Sequence, residues 1–324
     1  MKQIMLQHGA KTIIEVCAAV KPGERLLIVT DLGRPLSVAH ALALAGENVG
    51  ALVTITIMKP VATGQEPPDP VTGAMLSADV IVAPVTGSLF HTQAAREATK
   101  TGARLLSLTE ITEELLISGA ILADFEAQGP RIERVRTMLT AANQVRVTAP
   151  GGTDLTMSLA GREGMKITAL AREPGVRSAA PDLEAFIAPV EGTAEGVLVI
   201  DGSASNLGLI QSPIRMEIRA GRVVKISGGN QAREVEGRLA SARHDGAYAV
   251  AELGIGLNPM GLLRGQIIED EGVYGTAHVA LGNNMHFLGG QNWAPIHFDY
   301  VFRDPTIALD GKVIMESGSL VESS

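Results

Sequence analysis

The first third of the chain repeats a pattern in which a short apolar run is followed by an amphipathic segment. Apolar residues dominate the runs at 26–30, 51–57, 78–83 and 104–108. Apolar positions recur with helical spacing in the intervening segments 8–20, 35–44, 71–77, 91–100 and 110–117. This alternation of helices with uninterrupted apolar strands predicts a small doubly wound parallel sheet.

The pattern changes after residues 121–143, which are predicted to form a connecting helix. From residue 144 onward, short runs of alternating apolar and polar residues are separated by glycines, and Ala220–Gly221 is predicted to be a hairpin turn. We therefore predict an α/β protein with two domains. Residues 1–143 would form the parallel-sheet domain with its connecting helix, and residues 144–324 a β-rich α+β domain that binds metal.

Composition narrows the class of protein further. The net charge of −8 leaves no basic face for phosphates, so a nucleic-acid partner is not expected. The single cysteine, Cys17, excludes a disulfide framework and a cysteine-based zinc finger. The sequence has no signal-peptide pattern and no apolar run near the length of a membrane span, so we expect a cytoplasmic protein without a membrane partner. The turn at 31–35 lacks a dinucleotide-binding motif.

Candidate metal ligands are concentrated in the last quarter of the sequence. His297 and Asp299 are two residues apart, so on a strand both side chains point to the same face. Glu252 lies in the apolar run 250–256, where a solitary charge would be costly to bury. His278 lies in a strand of small residues, where a lone histidine is more often a core residue with satisfied hydrogen bonds. Taken together, the four are ligand types that divalent metals accept.

Other polar residues are weaker candidates. A glutamate in a loop, such as Glu184, is usually only solvated, and Glu271 lies in an acidic turn that would normally be exposed. His91 and His244 are expected at the surface, whereas His286 is expected near the site. Trp293 is expected to line a pocket.

The order of these residues resembles that of the thermophilic aminopeptidases, the family of aminopeptidase T and aminopeptidase S, over residues 144–315. The matching positions are Glu184 with Phe186 and Pro189, Glu195-Gly196, Glu252, residues 278–282, and His297-Phe-Asp299.

This resemblance implies a site with two divalent metals that share a carboxylate. Carried over, the metal ligands are Glu184, Glu252, His278, His297 and Asp299. Glu252 would be the bridging carboxylate, and Glu271 would correspond to a further glutamate of the family only with a short insertion. The resemblance also implies a homodimer.

Two differences complicate the resemblance. The family has a tyrosine seven residues after its first histidine ligand, where this chain has Met285. The 2,5-dihydroxypyridine 5,6-dioxygenases resemble the same C-terminal domain and hold one iron with a histidine and a terminal His-x-Asp pair, which His297 and Asp299 match. Glu252 stands where those enzymes have their other histidine, and Glu184 where they have an apolar residue.

Three functions follow from these observations. The first is a hydrolase that uses one or two zinc, cobalt or manganese ions to cleave a small amide or an N-terminal peptide bond, with Glu252 and Glu271 as catalytic residues. The second is a ring-cleaving dioxygenase with one Fe(II). The third is a descendant without catalysis that binds a metal or a small ligand. The two enzymes differ in whether they need oxygen.

Overall fold

The computed structural model describes residues 2–321. These residues form seven α-helices: α1 (Lys2–Lys11), α2 (Leu36–Val49), α3 (Asp69–Leu76), α4 (Gln93–Lys100), α5 (Phe125–Ala141), α6 (Asn230–Ser241) and α7 (Ile267–Asp270). A π-helical turn continues α1, and two 3-10 turns occur later in the chain: Thr12–Cys17, Gly119–Leu122 and Asp245–Tyr248. Over this described range, no helix is long and apolar enough to cross a membrane.

Twenty strands lie in the same described range. The first eight are β1 (Arg25–Asp31), β2 (Leu52–Met58), β3 (Val80–Ala83), β4 (Arg104–Ser107), β5 (Gln144–Thr148), β6 (Asp154–Ser158), β7 (Met165–Ile167) and β8 (Arg177–Ala179). Six more follow up to α6: β9 (Glu184–Ile187), β10 (Glu195–Ile200), β11 (Ser203–Ala204), β12 (Gly208–Leu209), β13 (Ile214–Arg219) and β14 (Arg222–Ser227). The last six are β15 (Val250–Gly256), β16 (Thr276–Gly282), β17 (His297–Arg303), β18 (Thr306–Leu309), β19 (Lys312–Glu316) and β20 (Ser319–Leu320).

The first compact unit comprises Met1–Ala127 and Ile167–Asp182. Its five-stranded sheet has the order β2-β1-β3-β4-β8, and its neighbouring strands pair in parallel. The four apolar runs form strands as predicted. β1, β3 and β4 are buried, as expected for parallel strands covered by helices, whereas β2 lies at the edge of the sheet and is partly exposed. Cys17 is buried in this unit, and burial raises the pKa of its thiol to about 12. The thiol is therefore protonated and acts as a small apolar side chain.

The second unit comprises Gln128–Lys166 and Leu183–Ser324. It contains an eight-stranded sheet of order β14-β13-β10-β6-β5-β18-β19-β20 and a seven-stranded sheet of order β12-β11-β17-β16-β15-β9-β7. The predicted hairpin turn joins β13 to β14, and both Ala220 and Gly221 have positive φ, of 46° and 72°. That combination is typical of the two-residue turn that matches strand twist. The α/β fold class is confirmed, with a parallel sheet followed by antiparallel sheets.

The division into units differs from the predicted domain boundary near residue 143. The second unit begins at Gln128, so it includes most of α5, which the sequence pattern attached to the first domain. The chain also returns to the first unit over residues 167–182, where β8 adds a fifth parallel strand beside β4. A strand of three residues carries too little periodicity to reveal such a long-range pairing.

The helix predicted at 110–117 is wrong, because the structure forms consecutive turns there. Glu110 has a φ of +58°, which an α-helix cannot contain, and the Thr112 hydroxyl accepts a hydrogen bond from the Leu115 amide. Ile111, Leu115 and Leu116 are nevertheless fully buried. Their spacing reflects burial of a turn and not helical periodicity.

Candidate metal centre

Four adjacent strands of the seven-stranded sheet carry all five predicted metal ligands. Glu184 begins β9, Glu252 lies on β15, His278 on β16, and His297 and Asp299 on β17. The register explains why the side chains meet, since residues directly opposite in antiparallel strands point to the same face. Glu184 is opposite Gly256, His278 is opposite Gly254, Asp299 is opposite Ala280 and His297 is opposite Gly282. All five side chains therefore share one face, and the small residues between them leave it open.

The ligand atoms of these side chains fall into two groups that share Glu252. Glu184, Glu252 and His278 form the deeper group, and Glu252, His297 and Asp299 form the shallower one; within each group the ligand atoms lie within 4.8 Å of one another. In the deeper group, His278 Nε2 is 3.3 Å from Glu184 Oε2 and 3.7 Å from Glu252 Oε1. In the shallower group, His297 Nε2 is 3.1 Å from Glu252 Oε2 and 3.3 Å from Asp299 Oδ1.

The ionised side chains of the site stabilise one another's charged forms. Burial raises the pKa of Glu252, but hydrogen bonds from both imidazoles outweigh that effect and hold the pKa below its usual value. Burial lowers the pKa of His297, yet the attraction of Asp299 and Glu252 holds it well above its usual value. Positive charge is thus favoured where the carboxylates converge. Three carboxylates and two imidazoles are a donor set that a divalent metal fits, so the structure supports a divalent metal cofactor.

Hydrogen bonds behind the ligands fix their orientation. His297 Nδ1 lies 2.8 Å from the carbonyl oxygen of Asn283, so Nδ1 keeps a proton and Nε2, which faces the carboxylates, is the nitrogen available to a metal. The Ser205 hydroxyl accepts a hydrogen bond from the Asp299 amide at 2.9 Å and donates one to Asp299 Oδ2 at 3.4 Å. This contact turns Oδ1 of Asp299 toward His297. The sequence analysis missed Ser205, which is 94 residues away in sequence and lies in no recognisable motif.

Gly254 has a specific structural role beside His278. A Cβ placed on Gly254 would lie 2.0 Å from Cε1 and 2.1 Å from Nε2 of the His278 ring. The ring therefore occupies the space that any other residue at position 254 would fill. The sequence analysis identified Glu252 from its glycine-flanked run, but the role of this glycine depends on strand register.

The other polar and aromatic residues singled out from the sequence lie outside the two ligand groups. Neither ligand group contains Glu271, which follows α7 and is half-buried. His244 caps the 3-10 turn before β15, and its ring contacts that of Trp293, which is 53% exposed. The ring of His286 is 5.5 Å from that of His297, and its pKa falls to about 4 because of burial and of the charge on His297. His286 is therefore neutral at neutral pH. His91 lies on the first unit and is exposed.

Replacing Ser205 by alanine is expected to lower metal affinity about 10-fold, because Asp299 loses the contact that orients its carboxylate. The measurement is a competition titration against a chelator of known affinity. Ser227→Ala removes an exposed hydroxyl that bonds only to the carbonyl of Arg215 among the contacts described, and it should leave the affinity unchanged. Equal affinities for the Ser205→Ala variant and the wild type would show that Asp299 needs no such support.

The fold and the site define an α/β protein with a parallel-sheet unit and an antiparallel unit that carries a candidate divalent-metal site. Comparison with known families identifies it further. The family model of 2,5-dihydroxypyridine 5,6-dioxygenase matches residues 6–322, so the chain belongs to that family. A 2,5-dihydroxypyridine 5,6-dioxygenase of Pseudomonas putida KT2440 is 28% identical over 260 residues, which cover 76% of this chain and 72% of the relative.

Two solved structures share the whole fold. The 2,5-dihydroxypyridine dioxygenase of Pseudomonas putida KT2440 superposes with a TM-score of 0.84 at 21% identity, covering 99% of this chain and 98% of that one. AmpT from Thermus thermophilus superposes with a TM-score of 0.74 at 17% identity, covering 99% and 100%. At these identities the structural likeness establishes the fold alone.

The comparisons correct the first functional hypothesis. The prediction of a metallo-hydrolase of the aminopeptidase T type is wrong, because the family match and the curated relative both indicate a dioxygenase. The likeness to AmpT is a likeness of fold. The resemblance to the dioxygenases, stated second from the sequence, is the one that the family match supports.

Proposed function

We propose that this protein is an Fe(II)-dependent dioxygenase that cleaves a hydroxylated aromatic ring, with 2,5-dihydroxypyridine as the first compound to test. The observation that carries the proposal is the family match over nearly the whole chain. The His297 and Asp299 pair on one strand face supports it, because imidazole and carboxylate donors with an accessible side suit non-haem Fe(II). Bound Fe(II) would supply the one-electron chemistry that dioxygen needs to react with an organic ring.

The residues of the site would bind and orient the reactants. Glu252, His297 and Asp299 would hold the metal, with the Asn283 carbonyl fixing the His297 tautomer. The neutral imidazole of His286, beside His297, would offer a hydrogen-bonding group to a ring hydroxyl without adding charge. The nearly complete burial of Glu184 and His278 would keep bulk water away from the inner side of the site.

The deeper group is a candidate for a second divalent ion. Glu184, Glu252 and His278 converge without His297 or Asp299, and Glu252 offers a separate oxygen to each group. The three carboxylates, when ionised, carry one negative charge more than a single divalent ion offsets, so the binding of a second ion remains electrostatically favourable. We propose that Glu184 and His278 bind this second ion, and elemental analysis of the purified protein gives the number of ions per chain.

Oxygen uptake tests the proposal directly. Protein loaded with Fe(II) under argon should consume about one O₂ for each 2,5-dihydroxypyridine when air is admitted, because a dioxygenase inserts both oxygen atoms into its product. Protein loaded with Zn(II) should consume none, since zinc has no redox chemistry. A panel of other dihydroxylated rings should be assayed in parallel. If Fe(II)-loaded protein consumes no oxygen with any ring in the panel, the proposal is wrong.

A further inference from the structure

The open side of the metal centre lies at the shallower ligand group. The side chains of His278, Glu184 and Glu252 are 1%, 5% and 4% exposed, whereas those of Asp299 and His297 are 13% and 24% exposed. A ligand that reaches the centre must therefore approach along His297 and Asp299. What flanks these two residues decides which ligands fit.

Aromatic rings line this approach, in a chain in which aromatic residues make up only 3% of the sequence. The Phe287 ring is 5.5 Å from the His297 ring and nearly perpendicular to it, at 84°. The His286 ring lies 4.3 Å from that of Phe287 and 5.5 Å from that of His297. Phe186, two residues after Glu184 on β9, is buried and packs its ring 5.2 Å from Phe287. Phe186 thus supports Phe287 from the ligand-bearing face of the sheet.

The loop that carries these rings is held by a partly buried polar network. Glu191 accepts hydrogen bonds from the Asn284 side chain and from the Gln291 amide, both at 2.9 Å, and forms an ion pair with Arg162. Asn284 is fully buried and accepts a hydrogen bond from the Asn292 amide at 2.8 Å. Both ends of the loop are therefore tied down. Such anchoring keeps the rings of residues 286 and 287 at a set distance from His297.

We propose that Phe287, with His286 beside it, forms an aromatic wall along the approach to the metal centre and makes the site select flat ring ligands over acyclic chelators. The wall consists of residues 186, 286 and 287. Phe287 and His286 remain half-buried, so their ring surfaces are still partly accessible to a ligand. Stacked or edge-to-face contacts of a ligand ring with Phe287 would favour aromatic compounds. This inference rests on the proposed function and assigns to it a residue that determines specificity.

The test compares two ligands on protein loaded with Zn(II), so that no oxygen chemistry interferes. Calorimetry measures the affinity for 2,5-dihydroxypyridine and for lactate, an acyclic chelator. Phe287→Leu keeps an apolar side chain but removes the ring. This variant should lower the affinity for 2,5-dihydroxypyridine about 3- to 10-fold and leave the affinity for lactate unchanged. Phe287→Tyr keeps the ring and should bind 2,5-dihydroxypyridine as the wild type does. Phe90→Leu, which removes a ring that contacts His91 in the first unit, is the matched control and should change neither affinity.

Each contrary result has a defined meaning. Wild-type affinity for 2,5-dihydroxypyridine in Phe287→Leu would overturn the aromatic wall, and oxygen uptake by the Fe(II)-loaded wild type would still support the proposed function. Equal weakening of both ligands would also overturn the wall, because the substitution would then have damaged the metal centre. If Phe287→Leu fails to fold, loss of the preference for the ring over lactate in Phe287→Tyr would contradict the proposal. Failure of the Zn(II)-loaded wild type to prefer the ring would contradict it as well.

Discussion

Replacing Glu252 by glutamine is expected to abolish metal binding and turnover while the chain still folds. Glu252 is the one residue that both ligand groups contain, and its two oxygens face different imidazoles. Glutamine has nearly the same shape, so the strand packing is preserved, but a neutral amide is a poor ligand for a hard divalent metal. Removing a residue that only supports a metal ligand lowers metal affinity by up to about 100-fold. Because Glu252 would contact the metal directly, we expect its replacement to lower the affinity by more than that.

Equilibrium dialysis followed by elemental analysis measures this loss, and a melting curve with and without metal shows whether the fold survives. Metal should raise the melting temperature of the wild type, because a ligand that binds only the folded state stabilises it, by about 2.7 kcal/mol at 100 times its dissociation constant. The Glu252→Gln variant should show no such rise. Glu316→Gln, an exposed glutamate at the end of β19, is the control and should behave as the wild type does. Retention of metal by Glu252→Gln would remove Glu252 from the ligand set.

The placement of the candidate ligands was predictable wherever local sequence determines the face of a strand. His297 and Asp299 share a face because side chains alternate along a strand, and β17 confirms that they do. On the opposite face of the same strand, Tyr300 and Phe302 are buried in the core. The proximity of His278 to Glu252 was inferred only from residue type and resemblance, because the register between β15 and β16 depends on contacts that no single strand encodes.

Features that depend on distant pairing were not predictable. The strand β8 joins the first unit after an excursion of the chain into the second, and Ser205 meets Asp299 across 94 residues. The choice between hydrolase and dioxygenase failed for another reason. The number of carboxylates in a site constrains the metals that it accepts, but it does not by itself decide the reaction. The family match supplied that decision.

Replacing Gly254 by alanine is expected to disable the deeper ligand group through sterics alone. The strand conformation at position 254 suits alanine, but its methyl group would lie 2.0 Å from the His278 ring. The ring must then move by more than about 1 Å to reach van der Waals contact, whereas metal–ligand distances tolerate only about 0.2 Å. His278 is therefore lost as a ligand, while Glu252, His297 and Asp299 keep their positions. We expect the ion held by the deeper group to dissociate and the melting temperature with metal to fall.

The comparison with metal-free protein separates this effect from general damage. Without metal, Gly254→Ala should cost about 1–3 kcal/mol of unfolding free energy, the range for overpacking a core. With metal, the deficit should be larger by the binding energy of the lost ion. Gly237→Ala is the matched control: a Cβ at this exposed position of α6 meets no atom within 4 Å, and alanine should stabilise the helix by about 0.5–1 kcal/mol. Equal deficits for Gly254→Ala with and without metal would show that His278 contributes to packing and not to metal binding.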